Sequence, residues 1–576
     1  MVNLRINNRE LAVAEGSTIL EAARTNNIKI PTLCHYPDLG IQSDCRICVV
    51  EIEGQKGLAT SCSTIVRDGM VVKTNSPRVL NARKTITELI LANHDANCTA
   101  CPKNLSCELQ SLANKLGIDE NRFQSVLTLS PLDEGNPALI RNPNRCIKCG
   151  RCVDVCKNIQ GVGVLELMGR SHHLKIVPAF DHCLSDLFCT YCGQCAAVCP
   201  VGAITEKDDT DIVWRALNHH DKHVIVQVAP AIRVSLAEEA NMNPGTVCTG
   251  KIVTALKLLG FDQVFDTDFT ADLTIIEEGN ELIHRLTSGG VLPMMTSCCP
   301  GWINFAEQHY PEILPHISSC KSPQQMFGAL AKTYYAEKMG LEPANVFVVS
   351  IMPCTAKKYE AGRKEMRANE DLPDVDVVLT TRELGKMLRQ MGIDFANLAE
   401  TPFDDPFGIT TGAAAIFGAS GGVMEAALRT VYEVVNGEPL TNLDFTDVRG
   451  LDGVKETVVK LAEKPYRFAV ANNLKNARLM AEAVKAGTSP YAFIEVMCCP
   501  GGCIGGGGQP YGTITKTRLD RIKATYQVDA AMPIRKSHEN PAIAKLYQEY
   551  LDRPLGEQSH NLLHTHYHAR RGKPNN

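Results

Sequence analysis

Cysteine spacing constrains this chain more than any other feature. Of 24 cysteines, 16 fall between Cys34 and Cys199. A disulfide framework is the reading suited to a small secreted domain. With 576 residues this chain is expected to form several domains instead. It begins Met1-Val2-Asn3-Leu4-Arg5, with no charged-then-apolar export pattern, and has no apolar run long enough to cross a bilayer. A cytoplasmic protein is expected, and clustered thiols in a reducing compartment point to metal. The net charge of -5, with both signs interspersed, excludes the basic footprint of a nucleic-acid binder.

Four cysteine sets follow one another. The first lies in residues 1–78, a segment in which Val2, Leu4 and Ile6 alternate like a half-buried strand. Thr18-Ile19-Leu20-Glu21 then reads as a capping box opening a helix. Cys34, Cys45, Cys48 and Cys62 could hold a 2Fe–2S cluster, or zinc, which accepts the same sulfur set. The ten residues between Cys34 and Cys45 are not the spacing of paired zinc knuckles. The second set, His94, Cys98, Cys101 and Cys107, falls in residues 79–126, on and after the apolar run Ile86–Ala92. Zinc and a 4Fe–4S cluster both suit three cysteines and one histidine. The third and fourth sets occupy residues 127–209: Cys146-xx-Cys149-xx-Cys152-xxx-Cys156, then Cys189-xx-Cys192-xx-Cys195-xxx-Cys199-Pro200. This spacing resembles the bacterial two-cluster ferredoxins, in which the fourth cysteine of each run serves the other cluster. That resemblance groups Cys146, Cys149, Cys152 and Cys199 around one 4Fe–4S cluster, and Cys189, Cys192, Cys195 and Cys156 around another. Lys157 stands where the first run would have proline. Cys183 is left over and is expected to be a buried thiol.

Residues 210–576 differ in character. Val224–Val228, Val346–Ile351 and Val375–Leu379 read as strands buried on both faces, alternating with helical stretches, which predicts an α/β domain. Its cysteines are few and far apart. They lie in Thr296-Ser-Cys298-Cys299-Pro300-Gly-Trp302, in Met352-Pro-Cys354-Thr-Ala-Lys357-Lys358 and in Glu495-Val-Met497-Cys498-Cys499-Pro-Gly-Gly-Cys503. The glycines at 501–508 lack a Gly-Lys-Ser/Thr ending, so they are expected to admit a cluster rather than to bind phosphate. No flavin or dinucleotide fingerprint is present.

These three stretches, in order behind the accessory sets, closely resemble the signature motifs of the diiron (FeFe) hydrogenases. The resemblance extends over nearly the whole chain. It implies a multidomain α+β and α/β protein: a β-grasp 2Fe–2S ferredoxin domain, a one-histidine three-cysteine 4Fe–4S module, a two-cluster ferredoxin domain and an α/β H-cluster domain. It implies one 2Fe–2S and three accessory 4Fe–4S clusters. It also implies an H-cluster, a 4Fe–4S cubane on Cys299, Cys354, Cys499 and Cys503 joined through Cys503 to two irons carrying carbon monoxide, cyanide and a dithiolate bridge.

The activity implied is reversible interconversion of H2 with two protons and two electrons. Ferredoxin, or flavin- and NAD(P)-binding sister subunits, would exchange the electrons, and maturation proteins would deliver the iron pair. Cys298 would be the proton carrier next to the bridging amine. Glu278, Ser318 and Glu281 would continue the route, with Arg285 near its exit. Without the resemblance, Glu278 and Glu281 read as a solvated helix face with Glu281 paired to Arg285. Lys357 would bond an iron-bound cyanide, and Met352, Met497, Pro230 and Phe417 would enclose the pocket. Cys498 departs from the alanine many members have, and Cys248 and Cys320 are further surplus thiols. A tail with His564, His566 and His568 is expected at the surface or disordered, with metal binding as an alternative. Two other functions on this fold are a hydrogen-sensing regulator and a non-hydrogenase iron–sulfur carrier or assembly protein. The carrier Cys298, and the set Lys357, Met352 and Met497, argue against them.

Overall fold

The alternation at the N terminus forms strand β1 (Val2–Ile6), turning through Asn7 and Asn8 into β2 (Arg9–Val13). Both asparagines have positive φ, 50° and 66°, the geometry a two-residue hairpin requires. In the computed structural model, which describes residues 1–125, 127–219, 221–368 and 371–570, this hairpin joins β3 (Val49–Ile52), β4 (Leu58–Thr60) and β5 (Met70–Lys73) in the order β2-β1-β5-β3-β4. Thr18 caps the Ile19–Thr25 helix with the reciprocal Glu21 bonds of a capping box. The boundary expected at residue 126 lies outside the described residues.

Helices Pro77–Leu91 and Glu108–Lys115 lead to a pseudo-repeat. Its strands β6 (Leu139–Arg141), β7 (Leu165–Met168), β8 (Lys175–Pro178) and β9 (Ile204–Glu206) form two antiparallel pairs, β6 with β9 and β7 with β8. The short helices Arg151–Asp154 and Gln194–Val198 each begin at a left-handed glycine, Gly150 and Gly193.

Eight further strands follow: β10 (His223–Val228), β11 (Gln263–Asp266), β12 (Met294–Met295), β13 (Val346–Met352), β14 (Val377–Thr380), β15 (Val454–Leu461), β16 (Lys464–Asn472) and β17 (Phe493–Met497). They make two sheets, β11-β10-β13-β14 and β12-β17-β16-β15. Every pairing is parallel except the β15–β16 hairpin. The apolar runs lie where expected because helices cover both faces of a parallel sheet. Gln227 interrupts one run, yet it is fully buried: its amide donates to Ser350 Oγ at 2.8 Å and accepts from Thr267 Oγ1 at 2.9 Å.

The C-terminal stretch straps the molecule together. Tyr36 donates to the Thr513 carbonyl at 2.7 Å, and Arg518 pairs with Asp38 at 2.5 Å, tying the first domain to the Thr515–Ala531 helix. Farther along, Glu307 is buried and holds Arg363 at 2.6 Å and Arg570 at 2.9 Å. Removing one partner of a buried pair leaves the other charge uncompensated, at a cost of about 3–5 kcal/mol. Glu307→Ala should therefore lower the melting midpoint and expose the tail around Arg570 to protease. Wild-type melting and protection would contradict this.

Two expectations need correction. Cys183 is exposed, not buried, because it precedes a surface turn in which Leu184 takes the interior position. The tail is not free at His564: that residue is buried, bridged to the Cys320 backbone and bonded to Glu277 and Ser319. His566 is exposed, as expected of a surface tail, and so is His568.

Candidate functional site

Ligand pockets in parallel α/β sheets form beyond the carboxyl ends of the strands. Here the ends of several parallel strands from both sheets lead into one cavity. Pro230 follows β10, Thr267 follows β11, Cys298 and Cys299 follow β12, Met352 and Cys354 close β13, and Met497, Cys498 and Cys499 close β17. The cavity is about 80 Å³ and lined chiefly by carbon and sulfur. Cys299, Cys354, Cys499 and Cys503, distant in sequence, all line it, as do Pro230, Cys298, Met352, Lys357, Phe417 and Met497. Cys503 is reached through Gly501 and Gly502, both at positive φ. A Cβ on Gly502 would stand 2.6 Å from the Ser420 nitrogen, so only glycine admits this approach.

Four converging sulfurs in a water-poor cavity fit an iron–sulfur cubane, and the space beside Cys503, walled by two methionines, a proline and a phenylalanine, fits an added group. The Lys357 ammonium donates to Glu360 at 2.8 Å and to the Cys298 carbonyl at 3.1 Å. Burial opposes its charge, but Glu360 outweighs this and raises its pKa. It therefore remains a cation on the cavity wall.

Behind Cys298 runs the Thr267–Thr287 helix. Glu278 is buried on it, and neither carboxyl oxygen has a hydrogen-bond partner. Burial first, and the neighbouring Glu281 second, push its pKa up to about 8. Burial also raises the Cys298 thiol, with Glu278 adding to it. Glu281 is bonded on both oxygens: Ser318 Oγ donates at 3.0 Å and Arg285 at 2.6 Å. Ser318, Glu281 and Arg285 are thus hydrogen-bonded together, whereas Glu278, which interacts electrostatically with Cys298 and Glu281, closes no bond to Cys298 or Ser318. The helix face is buried rather than solvated, although the Glu281–Arg285 pair does form.

The accessory sets also gather. One small cavity is lined by Cys146, Cys149, Cys152 and Cys199, and another by Cys156, Cys189, Cys192 and Cys195. Cys48 and Cys62 sulfurs lie 3.4 Å apart, and the free thiols of Cys34 and Cys45 are in hydrogen-bond contact. His94 Nδ1 is buried without a partner, and burial lowers the ring's pKa, leaving a neutral imidazole with a free lone pair. Cys107 accepts from the Gln110 amide at 3.4 Å. Each donor set suits an iron–sulfur cluster.

Two features escaped sequence reasoning. Gln324 lines the main cavity, and its amide bonds Glu360 at 3.1 Å. No motif marks it, since it lies on a different helix. Cys498 sits between cavities: its amide donates to Cys299 Sγ at 3.4 Å, and its thiol faces the sulfurs of Cys192, Cys299 and Cys499. A Cβ on Gly507 would stand 2.1 Å from the Cys192 carbonyl, showing how closely the two sulfur sets approach.

Residues 222–507 match the family "Iron only hydrogenase large subunit, C-terminal domain", and 515–570 match "Iron hydrogenase small subunit". Residues 1–77 match a 2Fe-2S iron-sulfur cluster binding domain. Residues 83–122 match the NADH-ubiquinone oxidoreductase-G iron-sulfur binding region, and 136–205 the ferredoxin-like domain of NADH-quinone oxidoreductase subunit 3. The NADP-reducing hydrogenase subunit HndD of Solidesulfovibrio fructosivorans is 50% identical, covering 99% of each chain. Iron hydrogenase 1 of Clostridium pasteurianum is 41% identical over 98% of this chain and 100% of its own. Among solved structures, a variant of the apo [FeFe]-hydrogenase HydA1 from Chlamydomonas reinhardtii superposes with a TM-score of 0.57 at 44% identity, covering 62% of this chain and 98% of that one. The strap was not legible as a small-subunit counterpart: nothing in its spacing separates it from the sheets it embraces.

Proposed function

The chain belongs to the iron-only hydrogenases, multidomain enzymes that interconvert H2 with protons and electrons, and from that premise we propose how its residues divide the work. The observation that carries the reading is the convergence of Cys299, Cys354, Cys499 and Cys503 on one cavity, with Cys298 beside them. Those four would hold a cubane, with Cys503 as the residue shared with a diiron subsite that would carry carbon monoxide, cyanide and a dithiolate. When bound, that group supplies the exchange between H2, protons and electrons. Met352, Met497, Pro230 and Phe417 exclude water from it, and Lys357 presents a donor for a bound cyanide.

Cys298 passes the proton to and from the cavity, Glu278 takes it next, and Ser318 and Glu281 continue the route towards Arg285. The remaining sets would hold three accessory 4Fe–4S clusters and one 2Fe–2S cluster, which would supply a path for the electrons. The ligands are Cys146, Cys149, Cys152 and Cys199; Cys156, Cys189, Cys192 and Cys195; His94, Cys98, Cys101 and Cys107; and Cys34, Cys45, Cys48 and Cys62. The domains are a β-grasp domain (1–78), a one-histidine module (79–126), a two-cluster ferredoxin domain (127–209) and the H-cluster domain (210–576). Likeness to the NADP-reducing subunit supports flavin- and NAD(P)-binding sister subunits as electron partners, with ferredoxin the other candidate and maturation proteins needed to deliver the iron pair. No helix among the described residues is long and apolar enough to cross a membrane, and a cytoplasmic setting is part of this proposal.

Glu278 provides the test of the route. A carboxyl raised to about 8 is protonated at neutral pH and ionises as pH rises through that value. Its protonated carbonyl band should be present in infrared spectra at pH 7, fade above about 8 and be missing in Glu278→Gln. Ionised Glu278 at pH 6 would remove it as a carrier of this kind. In the same variant, H2 turnover should fall by about 10²–10⁴-fold, the range for losing a positioned proton donor.

A further inference from the structure

Arg285 is poorly suited to finish a proton route. Its guanidinium donates to Glu281 Oε1 and to the carbonyls of Val291, Pro315, His316 and Ile317. An arginine has no acceptor and keeps its charge at any physiological pH, so it can steer a proton but not carry one. A second limb leaves Glu281 from its other oxygen. Ser319 Oγ lies 3.1 Å from Glu281 Oε2 and 2.8 Å from His564 Nδ1. His564 Nε2 lies 3.1 Å from Glu277 Oε2.

We propose that His564, linked to Glu281 through the Ser319 hydroxyl, is the base that carries protons between the outer end of the relay and solvent. The inference rests on the reading of Glu278, Ser318 and Glu281 as the relay. Outward transfer breaks the O–H bond of protonated Glu281 and forms one at Ser319 Oγ, which gives its own proton to His564 Nδ1. The resulting imidazolium holds its Nε2 proton against the Glu277 carboxylate and gives it up to a water molecule entering beside the exposed His560 ring; no electron moves. An imidazole accepts on one ring nitrogen while it donates from the other, so both directions of transfer are open to it.

The surroundings support a charge there. Burial alone would raise Glu277, but donors from His564, Ser559, Tyr547 and the Leu555 amide outweigh it and hold the carboxyl below its ordinary range. The His564 side chain is 3% exposed, and the exposed His560 ring lies against it with centroids 4.3 Å apart. The titratable and charged groups facing His564 are Glu277 and Glu281 from the acid-bearing helix, Cys320 from the bridged segment, Tyr547 from the strap and His560 from its own helix, with Arg285 behind Glu281. A tail expected at the periphery thereby reaches the relay.

The test uses the matured full-length enzyme. His564→Gln keeps a polar side chain that cannot titrate, and Ser319→Ala removes the link but leaves the histidine. Each should lower turnover by roughly 10²-fold, the lower end of the cost of losing a positioned proton carrier. The solvent isotope effect should rise and the neutral limb of the pH profile change, with melting midpoint and iron-pair infrared bands unaltered. The Glu281 carboxyl band, identified by subtraction of Glu281→Gln, should change in frequency in Ser319→Ala, which removes a hydrogen bond to Glu281 Oε2. Wild-type rate and isotope effect in both variants, with an unchanged Glu281 band in Ser319→Ala, would overturn the proposal. If Cys298→Ala and Glu281→Gln still abolish turnover in that case, the relay stands and only this limb fails. If Glu281→Gln is also harmless, the relay reading has failed and the limb with it.

Discussion

Replacing Cys298 with alanine should cut H2 oxidation and evolution by about 10²–10⁴-fold, the range for removing a positioned proton donor, while every cluster remains in place. The side chain lines the cavity without belonging to the four converging sulfurs, so its removal deletes no ligand of the proposed cubane. Its backbone carbonyl, which accepts from Lys357 at 3.1 Å, survives the change. What disappears is the titratable group between the cavity and Glu278. Burial holds that thiol well above its usual pKa, so it rests protonated and returns to that state after each transfer. The check is turnover in both directions, with iron content and infrared bands of bound carbon monoxide and cyanide as controls. Near-normal turnover with intact bands would remove Cys298 from the route.

Cys503→Ala should act differently. It should abolish turnover together with the carbon monoxide and cyanide bands, because the proposal makes this sulfur the link between cubane and iron pair. The tight Gly501–Gly502 approach places no other cysteine side chain at that point of the wall, and Cys498 is already turned towards Cys192, Cys299 and Cys499. The signals of the clusters proposed in residues 1–209 should persist, since Cys503 is a member of none of their cysteine sets, although Cys192 lines both its own small cavity and the main one. Electron paramagnetic resonance of the reduced variant tests that half. Retention of the infrared bands without Cys503 would contradict the shared-ligand assignment.

Much of this molecule is legible in the order of its amino acids. The ferredoxin runs can be read because each concentrates its ligands within a few residues, so local spacing carries the geometry. The capping box at Thr18 and the apolar strands β10, β13 and β14 are legible for a similar reason: periodicity and hydrogen-bonding chemistry are local. The catalytic cysteines are different. Cys299, Cys354 and the Cys499–Cys503 pair have no spacing that brings them together, and their grouping rests on resemblance until two mainly parallel sheets direct their strand ends into one cavity. Cys183 was misplaced because side-chain hydrophobicity says nothing about which residue of a surface turn points inward. His564 was misjudged because a histidine-rich terminus has no periodicity, and its burial depends on carboxylates nearly three hundred residues away.

The order of residues sets the chemistry available: which segments could bind iron, which could form buried strands, and which family the motifs resemble. Spacing within a few residues, backed by strand and helix periods, suffices for that. Packing in three dimensions leaves Glu278 buried without a partner, sets Cys498 between two sulfur sets, and brings His564 on the strap to Glu281 through Ser319. Those outcomes arise from close packing between elements remote in the chain, where burial and a few ångströms set whether a polar group is bonded, charged or idle, and no local pattern encodes such distances.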